Sequence, residues 1–242
     1  MKVGLMAIFK NETMGIREWI NHYQWQGVDN ILLINNDSTD DWKEKIKGIK
    51  NLTIKEGKKK FAQEYYYNKF GLPWCKEHDI DVLIVLDLDE YLFCKNKKNI
   101  KENLEDIFSK PDHPSEILVN WTMFGSNGYV KQPQSIRKSF TMKRNGIHKL
   151  TKAILWVKDV IEFKIHSHVV KGKSVKMPVI FKLNHYAIQS KEFFKKVKMT
   201  RGAADTIKHN HVRDLNYFKR YDFKDRQDVQ LKELVEKHEK LI

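Results

Sequence analysis

Val82-Leu83-Ile84-Val85-Leu86-Asp87-Leu88-Asp89-Glu90 is the stretch on which the fold turns. Five consecutive aliphatic residues, entered from Asp79 and Asp81, read as a buried strand. Side chains alternate along a strand, so Asp87 and Asp89 leave its C-terminal end on one side. In an open α/β sheet that end is where ligands bind. Two carboxylates one residue apart there suit Mg²⁺ or Mn²⁺ carrying a diphosphate. The plain alternative is a polar turn after a core strand.

The flanking sequence supports the sheet. Lys2–Phe9 reads as a first strand rather than a signal peptide, because no small-residue cleavage site follows it. Thr13 is expected to cap a helix running to about Gln26, with Ile16, Trp19, Ile20 and Tyr23 at helical spacing and Gly27 ending it. Asn30–Asn35 is a second strand, followed by the polar turn Asn35-Asn36-Asp37-Ser38-Thr39-Asp40 and a short helix. Leu52–Lys55 is a third strand, and Phe61 to about Glu77 a helix disturbed near Gly71-Leu72-Pro73. This β-α-β-α-β-α-β series predicts a mixed, mostly parallel sheet flanked by helices. Further on, Asn99–Ser109 reads as a helix, Glu116–Met123 as a strand, 136–187 as several strands, and Ser190 as the cap of a basic helix. Helices fill the rest.

The chain has 242 residues, 41% hydrophobic and 12% aromatic, which excludes disorder and fits one large α/β domain. No apolar run approaches the ~20 residues of a membrane helix. Cys75 and Cys94 have neither metal-type nor disulfide-type spacing, so reduced thiols and a cytoplasmic location are expected. The net charge of +14 is unevenly placed. Residues 131–182 hold thirteen Lys or Arg against Asp159 and Glu162, or +11, and residues 43–60 hold eight Lys against Glu44 and Glu56. Such a surface attracts phosphates, anionic glycans, nucleic acid or an acidic membrane.

Several blocks then carry a resemblance. Lys10-Asn11-Glu12, Arg17-Glu18-Trp19-Ile20-Asn21-His22-Tyr23, Gly27-Val28-Asp29 and Asn35-Asn36-Asp37-Ser38-Thr39-Asp40 resemble the opening of family 2-like and family 92-like glycosyltransferases. Leu86-Asp87-Leu88-Asp89-Glu90-Tyr91-Leu92 is similar to their metal motif. Trp121 with Phe124-Gly125-Ser126-Asn127-Gly128 resembles the next block. Asn184-His185-Tyr186, Ser190 and Lys198-Met199-Thr200-Arg201-Gly202 resemble the last. The resemblance runs in order from about residue 3 to 205. It implies a GT-A (Rossmann-like) fold, a nucleotide-sugar donor, usually a UDP-sugar, a divalent metal, and inversion at the sugar carbon. A single domain is expected, with a nucleotide-sugar-binding half (1–95), an acceptor-binding half (96–205) and a C-terminal helical extension (206–242).

The site expected from these readings has three parts. Asp87 and Asp89 hold Mn²⁺ or Mg²⁺, which neutralises the departing diphosphate. His185 completes the ligands by its position in the resemblance, with His166 and His168 as competitors. Glu90 supports the metal residues from behind. The nucleotide sits over the ends of strands one and two, at Lys10, Asn11, Asn36 and Asp37. Asn35-Asn36-Asp37-Ser38 departs from the related Asp-Asp-Gly-Ser pattern, although an amide also pairs with uracil. Gln63 and Asn68 resemble positions near the ribose and phosphates, and are alternatively solvated helix groups. Leu88 joins the donor site between the two acids. Lys198 and Arg201, three apart, are read as one helix face that clamps the diphosphate. A base must take the acceptor proton. Between 117 and 191 the only carboxylates are Glu162 and Asp159, with Glu162 preferred. Trp121, Gly125 and Ser126 border the acceptor, the glycines serving as a lid; Trp121 is equally readable as core.

The function expected is therefore metal-dependent transfer of a hexose from a UDP-sugar to a hydroxyl of a glycan or glycoconjugate. The acceptor is read as anionic, or the enzyme as working beside an acidic membrane surface. A basic nucleic-acid-binding protein is the alternative from charge alone, but no nucleic-acid motif is recognisable and no specific nucleic-acid binding is expected. Another metal-dependent nucleotidyl-transfer enzyme would want more carboxylates than Glu90 beside the pair.

Overall fold

The first three apolar blocks become strands each followed by a helix, and the fourth is followed by another strand. The computed structural model describes residues 1–201 and 212–241. The order is β1 (Val3–Phe9), α1 (Ile16–Trp25), β2 (Asn30–Asn35), α2 (Trp42–Ile46), β3 (Leu52–Glu56), α3 (Gln63–Glu77) and β4 (Val82–Val85). Then come β5 (Glu90–Cys94), α4 (Ile100–Phe108), β6 (Glu116–Met123), α5 (Ile136–Ser139), β7 (Met142–Lys143) and β8 (Thr151–Trp156). β9 (Val160–Glu162), β10 (Val169–Val170), β11 (Ser174–Lys176), β12 (Phe181–His185) and α6 (Lys191–Lys196) follow, and the chain closes with α7 (Leu215–Tyr221), β13 (Arg226–Gln227) and α8 (Gln230–Glu239).

Nine strands form one mixed sheet in the order β3-β2-β1-β4-β8-β6-β12-β5, with β11 also on β6. β1 is parallel to β2 and β4, β2 to β3, and β6 to β11 and β12. β8 lies antiparallel between β4 and β6, and β5 antiparallel to β12. Two strands antiparallel to the same neighbour run alike, so only β8 and β5 oppose the common direction. The C-terminal ends of the other strands therefore open on one edge. All seven residues of β1 and all four of β4 are buried, as expected for strands covered on both faces. The mixed, mostly parallel, helix-flanked sheet agrees with the Rossmann-like expectation.

Some elements differ from the sequence reading. Thr13 does not cap α1: its hydroxyl donates to Asp41 Oδ1 at 2.8 Å, while residues 12–15 form a turn and Gly15 precedes the helix. Gly27 does take the left-handed conformation after α1, at φ +85°. Pro73 lies inside an unbroken α3. β5 follows the acidic motif immediately. It passes as a strand because β12 supplies its partner in the register Leu92↔Leu183, a pairing local sequence does not reveal. α4 is capped by Asn99, which exchanges hydrogen bonds with Glu102, and α6 by Ser190. Lys198 lies in a 3₁₀ turn, Lys198–Thr200, and Arg201 is extended, so they do not share a helix face. Gly202 and the boundary at 205/206 lie outside the described residues. Both cysteines are buried and free, and among the described residues no helix is long and apolar enough to cross a membrane.

Candidate active site

A cleft of about 730 Å³ lies on the edge where the parallel strands end. Ile8 comes from β1, Trp121 and Met123 from β6, His185 from the end of β12, and Asp87, Leu88 and Asp89 from the turn between β4 and β5. The turn is held from below. Trp19 Nε1 donates to the carbonyl oxygens of Asp87 (3.1 Å) and Glu90 (2.9 Å). Tyr23 Oη donates to Glu90 O and accepts from Leu92 N, both at 2.9 Å. The aromatic stripe of α1 is thus core on one side and scaffold for the acidic turn on the other. His22 is wholly buried beside it, with Nε2 2.8 Å from Leu92 O.

Four carboxylates and three cations meet at the cleft floor. Lys152 of β8, 2% exposed, reaches Asp87 Oδ2 at 2.8 Å and Glu90 Oε1 at 3.9 Å. Lys198, also buried, reaches Asp89 Oδ2 at 2.8 Å and Glu12 Oε1 at 3.7 Å. Arg201 pairs with Glu12. Burial opposes the charge on Asp89, but Lys198 and His185 hold its carboxyl well below the usual range. Glu90 goes the other way: burial, reinforced by Asp87 and Asp89, pushes its carboxyl well up in spite of Lys152. Burial also raises Glu12 against the pull of Lys198 and Arg201.

Asp89, Glu90 and His185 each offer a ligand atom, and these lie within 4.8 Å of one another. His185 Nδ1 is buried without a hydrogen-bond partner among the described residues, and Glu90 Oε1 has no hydrogen bond there beyond the Lys152 ammonium 3.9 Å away. Orphaned buried acceptors are costly unless something else binds them. Two carboxylates and an imidazole, next to a cleft with room for further oxygens, fit a divalent cation, and the imidazole favours Mn²⁺ over Mg²⁺. The geometry alters one expectation: Glu90 stands with Asp89 and His185, whereas the Asp87 carboxylate faces Lys152.

The other expected residues divide. Gln63, Leu88, Trp121, Lys198 and Arg201 line the cleft, with the Trp121 ring 4.4 Å from that of His185. Lys10, Asn11, Asn36 and Asp37 gather at the ends of β1 and β2 but do not line it. Lys10 Nζ is 3.7 Å from Asp37, Asn11 Oδ1 accepts from Thr39 N, and Asn36 Nδ2 donates to Gly57 O and Lys59 O. Asn68 ties α3 to Phe163 through both ends of its amide. His166 lines the cleft, while His168 is buried and accepts from Lys164 N. The two do not sit on a strand.

Neither candidate base lines the cleft. Glu162 is half-exposed and paired with Lys164 at 2.5 Å; Asp159 accepts from Ser115 Oγ at 2.5 Å. Gly125 and Ser126 are also outside it. A Cβ on Gly125 would lie 2.2 Å from Phe223 O, and Ser126 N donates to Asp222 Oδ1 at 2.8 Å. These contacts pin the segment rather than free it as a lid. Sequence reasoning missed Lys152, Glu12, His148, Arg213 and Asp214. Glu12 had a signal, its place in Lys10-Asn11-Glu12. Asp214 had none, since it enters the cleft from beyond the window searched for a base.

Comparison with family models gives no match, and no curated protein matches. Solved structures do match. HddC from Yersinia pseudotuberculosis is 13% identical, over 81% of this chain and 97% of that one, with a TM-score of 0.46. S. aureus TarS is 17% identical over 78% of this chain and 37% of that one, with a TM-score of 0.47. Glucosyl-3-phosphoglycerate synthase from Mycobacterium tuberculosis, in complex with Mn²⁺, UDP and phosphoglyceric acid, is 12% identical over 50% of this chain and 43% of that one, at 0.34.

Proposed function

We propose that the chain is a glycosyltransferase that takes a hexose from a nucleotide sugar, a UDP-sugar first, and passes it to a hydroxyl of a glycan or glycoconjugate. The observation that carries this reading is the group Asp89, Glu90 and His185 at the sheet's ligand-binding edge, with Lys198 and Arg201 beside it. Those three residues would hold the cation, which when bound supplies Lewis-acid stabilisation of a leaving diphosphate. Lys198 and Arg201 line the same cleft, held in place by Asp89 and Glu12, and would meet the same phosphates. Lys152 neutralises Asp87 and orients it. Trp121, largely buried among His148, His166 and His185, forms the apolar part of the cleft wall beside the metal-type group.

The base role moves from Glu162 to Asp214. The described carboxylates of the cleft wall are Glu12, Asp87, Asp89 and Asp214. The first three lie against cations on the floor, whereas Asp214 is exposed at the N-terminus of α7, where its side chain accepts from Tyr217 N and is free of any lysine partner among the described residues. Among the described residues there is one metal-type group, which disfavours two-metal nucleotidyl transfer.

Calorimetry with UDP tests the reading. Mn²⁺ should tighten UDP binding at least tenfold in the natural chain and not in Asp89→Asn. UDP binding that ignores both the metal and the substitution would refute it. Asp214→Asn should retain UDP binding and lose transfer; an active variant removes the base assignment alone.

A further inference from the structure

A second concave site lies on the opposite face of β6 from the candidate active site. Alternation along β6 sends Trp121 and Met123 to the cleft and Leu118, Asn120 and Thr122 to the other side, where all three are half-exposed. There they form the floor of a groove of about 450 Å³, within the range of pockets that hold small ligands. The β7/β13 ladder and the segment after β11 make its walls.

The groove's charge is one-sided. Lys95, Lys143, Lys176, Lys182 and Arg226 line it against a single carboxylate, Asp228, giving five minus one, or +4. Lys182 is 8% exposed, and it and Lys143 converge on the same Asp228 oxygen. One carboxylate cannot balance both, so excess positive charge is fixed in the floor itself. Lys95 donates to Pro178 O, a neutral partner. Lys176 and Arg226 are exposed and have no ion-pair partner among the described residues. Lys143, Lys176 and Lys182 all belong to the basic 131–182 segment, whose charge the active-site reading leaves unexplained.

A lysine-rich surface that merely favours solubility spreads its charges over convex faces. Here cations from β7, β11, β12 and β13 face one another across a concavity, each raising the electrostatic cost of the next. Like charges held on one concave surface repel one another, the more so where they are partly buried and salt screens them less. An anion removes that cost. Asn120 Oδ1, the Thr122 hydroxyl and Gln230 Nε2 add hydrogen-bonding groups to the lining, of the kind that bind hydroxyls; Asn120 Nδ2 and Gln230 Oε1 are engaged within the protein.

We propose that this groove is a second binding site, for a ligand bearing two or more phosphate groups on a hydroxylated, glycan-like chain. The proposal stands whether or not the main cleft transfers a sugar.

The test uses inorganic tripolyphosphate as probe, on the purified chain in a metal-free chelating buffer at about 0.1 M salt. Isothermal titration calorimetry should show one site. Lys176→Glu combined with Arg226→Glu should weaken it at least tenfold, and Lys176→Gln with Arg226→Gln by less. Both pairs are surface positions, and an unchanged thermal midpoint verifies folding. Arg201→Gln, which removes a cation from the main cleft, should bind the probe as the natural chain does. Equal binding by the charge-reversed pair would overturn the proposal, as would loss of binding in Arg201→Gln. Two further arms use a short polyuridylate and anionic phospholipid vesicles. Tighter binding of either than of tripolyphosphate, abolished by the same double reversal, would reassign the groove to nucleic acid or to a membrane and overturn it too.

Discussion

His22 sits in the sequence block that resembles glycosyltransferases, yet the structure places it in the core, where it makes stability depend on pH. Its Nε2 lies 2.8 Å from Leu92 O and so carries the proton, while Nδ1 faces the Arg137 guanidinium at 3.5 Å. Burial first, and Arg137 second, lower its pKa from 6.5 to about 3. The unfolded chain therefore binds a proton near pH 6.5 that the folded chain refuses until about pH 3. Stability from this group is full above the unfolded value and falls as pH drops below it. From ~pH 8 to ~pH 5 the loss is roughly 2 kcal/mol, about 1.4 per pH unit over the 1.5 units below the unfolded value. Glu90 acts in the opposite sense, because its raised carboxyl pKa makes the folded state more stable as pH falls. The natural chain's total pH dependence is thus not diagnostic, and the comparison must be with a variant. His22→Gln keeps a donor for Leu92 O and removes the titration. Urea unfolding at the two pH values should show the natural chain losing about 2 kcal/mol more than the variant. Equal losses would mean that His22 is hydrated or charged in the folded chain, and the burial argument would fail.

Other perturbations test other parts of the structure. Gly125→Ala places a methyl 2.2 Å from Phe223 O, and should lower stability by about 1 to 3 kcal/mol in chemical denaturation. A neutral substitution there would contradict the pinned loop. His185→Ala should weaken Mn²⁺ binding about 10- to 100-fold in calorimetry, if the imidazole is a ligand or orients one. Unchanged affinity excludes it from the metal group. Asn99→Ala removes the reciprocal cap of α4 and should cost about 1 kcal/mol in thermal or urea unfolding, far from the cleft and without effect on UDP binding.

The amino-acid sequence by itself determined strands β1 to β4 and β6 and the parallel run of the first four. Val82–Val85 reads as a doubly covered strand, because its run of aliphatic, largely β-branched residues has no polar face and is too short for a buried helix. Asn30–Asn35 and Glu116–Met123 were legible to the residue for similar local reasons. The acidic turn after β4 was legible as well, since alternation and strand polarity place Asp87 and Asp89 on the ligand edge without knowledge of any partner. What joins that turn was not legible. Lys152 comes from an antiparallel strand inserted beside β4, and Glu90 from the first residue of β5, which exists because β12 pairs with it. Asp214 reaches the cleft from α7, and the basic groove needs β6, β7, β12 and β13 side by side. Local sequence encodes propensity, burial period and caps, which act over a few residues. Which lysine meets which carboxylate depends on sheet order, and contacts some 65 to 109 residues apart in sequence set it. Only the tertiary structure decides them.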